Sequence, residues 1–355
     1  MSHFIHLAKW LEVDVYLETV FICALGMIGP QEGRAMSEVK SFRDAESGFD
    51  LHEARVKNTK VKLCPNAGFN LFSIEHDGIQ FLKEPSKLKE LPGFMYGVPV
   101  IYPMPNRVKN SEFVFQGKSY KFTPNNDEHF LHGLAHDVAW NAEVPEANND
   151  QCVFKGSLAF EPGSKRYDLF PFAHVLNLKI TIRSGSVRWD YEVDNAKGTG
   201  PVPIGMCLHP WFLYQGERKQ TFLKVPATHV MEAEKLIPTG KLVDLAGSKF
   251  DARNPISLEN FVIDDVYFGM TPEQPAEIYF RDKKIKVVLK ASEDFTHLVV
   301  YTPAEKPWFC VENQSCSTDA HNLHQRGLTK ESHLLVVEPG KKHTGWIEYS
   351  FEVAK

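Results

Sequence analysis

Three separated segments of the chain carry the residue types that could transfer protons. Asn106 and Arg107 belong to the first segment together with His132, His209 opens a His-Pro-Trp-Phe segment, and Glu312 lies in the third. Two imidazoles and a carboxylate can exchange protons near neutral pH, and a guanidinium can bind hydroxyl or carboxylate oxygens. These residue types favour general acid–base chemistry, provided that the fold brings the three segments together.

Taken singly, each of these residues also has a purely structural interpretation. If Trp308 to Glu312 is a strand, Glu312 shares a face with Trp308 and Cys310, which would desolvate its carboxyl group and raise its pKa. A solvated glutamate at the rim of a sheet is the alternative. His209 lies among apolar residues, as a buried core histidine also does, and Arg107 is equally compatible with a solvent-facing position.

Other motifs point away from metal, nucleotide and serine chemistry. His129, His132 and His136 have a spacing that resembles metal ligands, but Gly133 interrupts a segment that has the composition of strand and turn. The sequence has neither a Gly-x-Ser-x-Gly nucleophile elbow nor a Gly-rich phosphate loop. We therefore expect no metal and no cofactor.

Alternation of apolar and polar residues predicts that strands position these segments. Residues 176–182 and 187–193 alternate on either side of a Ser-Gly-Ser turn, which predicts a β-hairpin with one buried face. Residues 113–122 and 334–353 repeat this pattern and predict two further hairpins. Gly and Pro punctuate the chain at roughly the spacing of a large antiparallel sandwich or barrel. An all-β fold follows.

Composition limits the function classes. The chain has 355 residues, of which 43% are apolar and 24% are charged, and its net charge of −5 carries no basic run. Nucleic acid is therefore not expected as a partner, because phosphate binding needs a face rich in Lys and Arg. The six cysteines form no Cys-x-x-Cys pair, which indicates reduced thiols in a large domain.

Residues 1–40 are predicted to be an N-terminal extension to a single domain over residues 41–355. The apolar run Val20–Ile28 is too short to span a bilayer and matches the signal-peptide pattern poorly. The extension is expected to be disordered, helical or the result of a start upstream of the true initiator. These features favour a cytoplasmic location without membrane contact, although export stays open.

The order of several short motifs resembles the aldose 1-epimerase family, the galactose mutarotase-like proteins. The resemblance runs from about residue 60 to the C-terminus, and each motif by itself is moderately specific. It rests on Gly97-Val98-Pro99 with Pro103-Met104-Pro105-Asn106-Arg107, His132-Gly133, His209-Pro210-Trp211-Phe212, Ile263-Asp264-Asp265-Val266-Tyr267, Val311-Glu312 and Asp319-Ala320-His321-Asn322-Leu323.

The resemblance implies a β-supersandwich of many antiparallel strands and cofactor-free interconversion of sugar anomers. Glu312 would be the general base at the anomeric hydroxyl, and His209 would be the general acid at the ring oxygen. Substrate binding would fall to a further set of residues in the same cleft, with Asp265 accepting hydroxyl hydrogens and Trp211 stacking on the sugar ring. This set is His132, Arg107, Asn106, Asp265 and Trp211.

The resemblance leaves the substrate open among a hexose, a related aldose and a hexose 6-phosphate. A catalytically silent carbohydrate-binding protein or sugar sensor on the same sandwich is the alternative from another class. Retention of both histidines and the glutamate favours an enzyme, because a pure binder has no use for a paired acid and base. A small sugar is the expected partner, and the chain is expected to be a monomer or a homodimer.

Overall fold

This computed structural model describes residues 37–354, and nearly half of them lie in short strands. The expected N-terminal extension, with its apolar run, lies largely outside the described residues. The first described strand, Glu38–Arg43, nevertheless crosses the expected boundary at residue 40 and pairs with the next strand. The paired strands of the described residues therefore include residues on both sides of this expected boundary.

The strands of the first half of the described chain are β1 (Glu38–Arg43), β2 (Asp50–Val56), β3 (Thr59–Cys64), β4 (Asn70–His76), β5 (Ile79–Gln80), β6 (Val100–Ile101), β7 (Arg107–Val108), β8 (Glu112–Phe115), β9 (Lys118–Lys121), β10 (Phe130–Leu131), β11 (Asn141–Ala142), β12 (Glu146–Asn148), β13 (Gln151–Phe160), β14 (His174–Arg183) and β15 (Ser186–Asp194). The strands of the second half are β16 (Val202–Ile204), β17 (Cys207–Leu208), β18 (Phe212–Leu213), β19 (Thr221–Lys224), β20 (His229–Glu234), β21 (Ile237–Asp244), β22 (Ile256–Ser257), β23 (Asp264–Phe268), β24 (Ala276–Phe280), β25 (Ile285–Ala291), β26 (His297–Tyr301), β27 (Trp308–Gln314), β28 (Leu335–Val337) and β29 (Lys342–Val353). The helices are short: α1 (Lys165–Leu169), α2 (Ala320–Gln325) and α3 (Thr329–Ser332), with 3₁₀ turns at Leu88–Gly93, Lys109–Ser111, Arg218–Gln220 and Arg281–Lys283.

Two large antiparallel sheets dominate the fold. One has the strand order β11-β13-β14-β15-β29-β25-β24-β19-β22, with β12 beside β13. The other has the order β21-β20-β23-β26-β27-β17-β6, with β18 beside β27. Strands β1 to β5 form a third sheet in which each strand pairs with the next along the chain. The catalytic candidates thus fall on neighbouring strands of the second sheet.

The hydrophobic core lies between the two large sheets. The ring centroid of Phe212 on β18 lies 5.8 Å from that of Tyr349 on β29, and those of Phe309 and Phe280 lie 6.4 Å apart. All four rings are buried. Alternating strands bury one face each, and the facing rings interlock as in sheet-on-sheet packing. The prediction of an all-β supersandwich is confirmed.

Two of the three predicted hairpins are present. Strand β14 pairs with β15, and β8 pairs with β9. The third prediction, for residues 334–353, is wrong: β28 pairs with β16, whereas β29 pairs with β15 and β25 in the ten-stranded sheet. The Glu338-Pro339-Gly340 turn carries the chain from one sheet into another, and tertiary pairing overrides the local pattern. Within residues 37–354 no helix is long and apolar enough to cross a membrane.

Candidate active site

Strand β27 places Glu312 inside the eight-stranded sheet, between β26 and β17. The Cα register pairs Glu312 with Val299 of β26, and every residue of β27 is buried. Glu312 itself is only 2% exposed. Because side chains alternate along a strand, Cys310 lies on the same face as Glu312. The expected desolvated environment of this carboxyl group is thus present.

His209 reaches Glu312 from the end of the adjacent strand β17. Its backbone N–H donates to the carbonyl oxygen of Pro99 over 3.1 Å, which fixes the chain where it leaves the strand. The imidazole is 5% exposed, and its Nε2 lies 3.3 Å from Oε1 of Glu312. The other carboxyl oxygen, Oε2, accepts a weak hydrogen bond from the thiol of Cys207 over 3.6 Å. An imidazole and a carboxyl group therefore face each other in a buried pair.

Burial sets the protonation of this pair. Loss of solvent raises the pKa of Glu312 well above its usual value, and the nearby Asp264 carboxyl adds to this rise. Burial also lowers the pKa of His209 to about 3. Both shifts disfavour charge, which favours a protonated carboxyl beside a neutral imidazole as the form of the resting pair. Arg107 and the Cys207 thiol act in the opposite direction on Glu312 and favour its carboxylate form.

His132 and Asn106 lie beside the pair, as the sequence predicts. The ring centroid of His132 is 5.1 Å from that of His209, with the two rings nearly perpendicular. Its backbone N–H donates to the carbonyl oxygen of Asn106 over 2.9 Å. Burial, and then the neighbouring imidazoles of His209 and His136, lower the pKa of His132 well below its usual value. Both His132 and Asn106 have left-handed backbone, with φ of 67° and 58°.

Arg107 is held by three separate contacts. Its Nη1 donates to Oδ1 of Asn106 and its Nε to Oδ1 of Asn126, each over 3.0 Å. Its carbonyl oxygen accepts the backbone N–H of Asp319 over 2.9 Å, and Oδ1 of Asp319 accepts the N–H of Lys109. The Asp319 segment therefore serves to fix the Arg107 strand, and the guanidinium supplies the positive charge near Glu312.

Asp264, and not Asp265, shares the face of Glu312. The register pairs Asp264 with Tyr301, and Tyr301 with Cys310, which lies two residues before Glu312 on the same face of β27. Asp265 alternates to the opposite face. The sequence favours Asp265 as the hydroxyl acceptor; the strand register corrects this choice by one residue. Burial raises the pKa of the Asp264 carboxyl, and Arg107 partly counteracts the rise.

Trp211 supports His209 instead of offering an open face to a sugar. It is 2% exposed, and its ring stacks on His209 at a centroid distance of 4.8 Å and an angle of 23°. Its indole N–H donates to the carbonyl oxygen of Phe94 over 2.6 Å. The edge of Trp308 packs against it at 4.6 Å. The predicted stacking surface is therefore already occupied by protein.

Phe94 covers the histidines and is missed by the sequence motifs. It ends the 3₁₀ turn Leu88–Gly93 in a left-handed conformation, with φ of 52°. Its ring centroid lies 4.9 Å from that of His132, 5.7 Å from His136 and 6.2 Å from His209. Asp264 belongs to the Ile263–Tyr267 motif of the sequence, but only strand pairing shows that Asp264 and Tyr301 lie on the face of Glu312. The local sequence Gly93-Phe94 does not indicate that Phe94 covers the histidines, because these contacts join segments that are distant in sequence.

The fold of the described residues is that of a β-supersandwich protein with a buried imidazole–carboxyl pair. The aldose 1-epimerase family matches residues 58–350, and the chain belongs to that family. Galactose mutarotase of Bos taurus is 25% identical over 178 residues, which are 48% of this chain and 50% of that protein. The chain thus spans about half the length of the curated mutarotases that it matches. The Escherichia coli protein YphB is 24% identical over 69% of this chain and 80% of its own.

Solved structures show the same fold. A galactose mutarotase-like protein from Clostridium acetobutylicum superposes with a TM-score of 0.81 at 18% identity, covering 90% of this chain and 99% of the other. A galactose 1-epimerase from Lactobacillus acidophilus superposes with a TM-score of 0.73 at 13% identity, covering 90% and 99%. At these identities the likeness concerns the fold.

Proposed function

We propose that this protein is an aldose 1-epimerase that interconverts the α and β anomers of a small aldose. One observation carries the proposal: an imidazole and a carboxyl group, His209 and Glu312, lie 3.3 Å apart in a buried site of a family member. Opening a hemiacetal requires the removal of one proton and the supply of another. A paired base and acid provide both, and each positioned group typically contributes about 10²–10⁴-fold in rate.

In the proposed reaction Glu312 takes the proton of the anomeric hydroxyl while His209 protonates the ring oxygen. The C1–O5 bond breaks, and the O1–H electron pair becomes the second bond of the C1 aldehyde. Rotation about C1–C2 exposes the other carbonyl face. Reclosure returns the proton of Glu312 to O1 and that of O5 to His209. One proton thus circulates within the pair, and no net charge enters or leaves the site.

The active form, a Glu312 carboxylate with a His209 imidazolium, is a tautomer of the resting pair. Proton transfer across 3.3 Å interconverts the two forms without a change in net charge. Arg107 favours the carboxylate form, and sugar hydroxyls would add hydrogen bonds to it. His132, Asn106 and Arg107 would bind the ring oxygen and hydroxyls, and Asp264 would accept a hydroxyl hydrogen.

The test is the rate of anomer interconversion with wild type and Glu312→Gln. Polarimetry or NMR saturation transfer on glucose, galactose, xylose and glucose 6-phosphate ranks the sugars. The Gln side chain keeps the shape of Glu312 but cannot accept the proton, so we expect turnover to fall about 10²–10⁴-fold. Glu273→Gln, an exposed turn substitution, should leave turnover unchanged.

Two outcomes would contradict the proposal. If Glu312→Gln retained most of the rate, Glu312 would not be the base. If wild type accelerated none of these sugars while still binding one, the protein would be a sugar-binding protein or sensor on the mutarotase fold. Sugar binding by calorimetry separates the second outcome from a misfolded preparation.

A further inference from the structure

Glu312 and His209 lie beside a thiol that the proposed reaction does not use. Cys310 is buried, shares the Glu312 face of β27 and is two residues away from Glu312. One ligand atom from each of His209, Cys310 and Glu312 can be chosen so that all three lie within 4.8 Å of one another. Among the described residues, these three side chains form the group of His, Cys, Asp or Glu ligands that lie close enough together to bind one metal ion.

The geometry of this cluster, here called the His-Cys-Glu cluster, suits a tetrahedral cation. Two ligands bonded to Zn²⁺ at about 2.0–2.1 Å lie roughly 3.3 Å apart in a tetrahedral site. His209 Nε2 and Glu312 Oε1 are separated by 3.3 Å. The Cys310 thiol lies within 4.8 Å of a ligand atom of both residues. A nitrogen, a sulfur and one oxygen ligand select Zn²⁺ or Cd²⁺ over Mg²⁺ and Ca²⁺, which prefer oxygen alone.

We propose that the His-Cys-Glu cluster binds a thiophilic divalent cation, with Zn²⁺ as the physiological representative, and that the bound cation blocks proton transfer. Glu312 and Cys310 would each lose a proton on coordination, and His209 would bind through Nε2. A fourth position would remain for water or a sugar oxygen. The inhibitory part of this inference rests on the proposed function, whereas the binding part does not.

The surroundings of the cluster bear on its affinity. The Cys207 thiol already contacts Oε2 of Glu312, which leaves Oε1 free to face His209 and a cation. Such an outer hydrogen bond orients a ligating carboxylate. His209 Nδ1, however, has no hydrogen-bond partner within the described residues. Since ligating histidines usually donate their second N–H, we expect weaker binding than at a structural zinc site.

The experiment titrates zinc chloride alone into the full-length chain by calorimetry, with magnesium and calcium chloride as comparisons. We expect one Zn²⁺ per chain in wild type, and affinity at least about tenfold weaker in Cys310→Ser. Cys152→Ser is the matched control: Cys152 is equally buried but lies on β13 of the other large sheet, against the backbone carbonyls of Glu38 and Arg55. It should bind Zn²⁺ as wild type does.

Cobalt gives a second measurement that does not depend on activity. Co²⁺ bound through Cys310 should show thiolate-to-metal charge-transfer absorption in wild type and Cys152→Ser, and lose it in Cys310→Ser. Persistence of that band in Cys310→Ser, or equal Zn²⁺ affinity in both cysteine variants, would show adventitious binding elsewhere and overturn the inference. If Cys310→Ser fails to fold, as judged by circular dichroism, absence of the band in wild type overturns it equally.

Failure of this inference is distinguishable from failure of the proposed function. Zn²⁺ binding at Cys310 without turnover of any sugar would leave the metal site standing and remove the epimerase proposal. Turnover without Zn²⁺ binding would do the reverse. If wild type both binds Zn²⁺ and turns over a sugar, Zn²⁺ should inhibit the reaction competitively with that sugar. Zn²⁺ should inhibit Cys310→Ser less than wild type, each compared with its own rate without metal.

Discussion

A carboxyl group and an imidazole that are both buried hold one proton between them over a wide pH range. Adding a second proton to the pair would bury a net positive charge, and removing the first would bury a net negative one. Burial opposes both, which is why the pKa of His209 falls to about 3 and that of Glu312 rises. The two titrations belong to the pair more than to either residue.

This coupling predicts a flat pH dependence of kcat/KM. From about pH 5.5 to 8 we expect no inflection near 6.5, the ordinary pKa of histidine, because the pair keeps its single proton throughout. Initial rates of mutarotation at constant ionic strength provide the measurement, within the range in which circular dichroism reports a folded chain. An acid limb centred near pH 6.5 would mean that His209 titrates independently.

The register of β23 predicts opposite results for two adjacent aspartates. Asp264→Asn should raise KM for the sugar by about 10- to 150-fold, which corresponds to roughly 1.5–3 kcal/mol for one hydrogen bond to a charged group. Asp265→Asn, on the other face, should leave KM unchanged. Steady-state kinetics on the best sugar decide the matter. A KM effect in Asp265→Asn alone would restore the sequence-based choice.

At the scale of elements, the site is assembled by strand ends and by one irregular segment. Strands β27 and β17 lie side by side and supply Glu312 and His209, and the turn Leu88–Gly93 lays Phe94 over the imidazoles. The covering segment is held by the Trp211 indole N–H at the Phe94 carbonyl. It is therefore this segment that completes the desolvation of the pair.

Removing the Phe94 ring should move the pKa of His209 back toward its ordinary value. Phe94→Ala admits water above the imidazole and weakens the burial that lowers this pKa, whereas Phe94→Leu keeps most of the cover. NMR titration of the histidine Cε1 protons measures the shift. His297, whose pKa burial lowers to about 3, should not respond, because its ring packs on Phe268 instead. If the pKa of His209 stayed the same in Phe94→Ala, residues other than Phe94 would account for the burial of this imidazole.

At the scale of the whole molecule, buried neutral histidines link stability to pH. Burial lowers the pKa of five nearly inaccessible imidazoles: His132, His174, His209, His297 and His321. The pKa falls to about 3 for His209 and His297 and to about 4 for His174 and His321. Below about pH 6.5 the unfolded chain takes up protons that the folded chain excludes, so stability present above that pH is lost as pH falls toward the folded pKa values.

We therefore expect the urea midpoint to fall between pH 7 and pH 5. Each such histidine lowers the free energy of unfolding by about 1 kcal/mol per pH unit averaged over this window, and the slope approaches about 1.4 kcal/mol per unit at its acid end. Four carboxyl groups act in the opposite sense, since burial raises the pKa of Glu312, Asp319, Asp264 and Asp265, that of Asp319 to about 6. They offset the five imidazoles only in part. His297→Gln should flatten the dependence, and equal midpoints at pH 7 and 5 would refute the linkage.

Much of the fold is determined by the sequence alone. Alternation of apolar and polar residues predicts the β14–β15 and β8–β9 hairpins, because short turns leave the flanking strands no other near partner. The family resemblance adds the supersandwich and the pairing of Glu312 with His209. Arg107 contacts Asn106, and His132 lies beside His209, while the substrate-binding roles that the resemblance implies for all three stay predictions.

Only the tertiary structure decided which side of each strand the site uses. A shift of one residue moves a side chain to the opposite face, so the choice between Asp264 and Asp265 depends on pairing with β26 and not on the motif. The same holds for β29, which leaves its predicted hairpin for the larger sheet. The positions of Phe94, Cys310 and Trp211 around His209 and Glu312 depend on long-range contacts, which the local sequence does not determine.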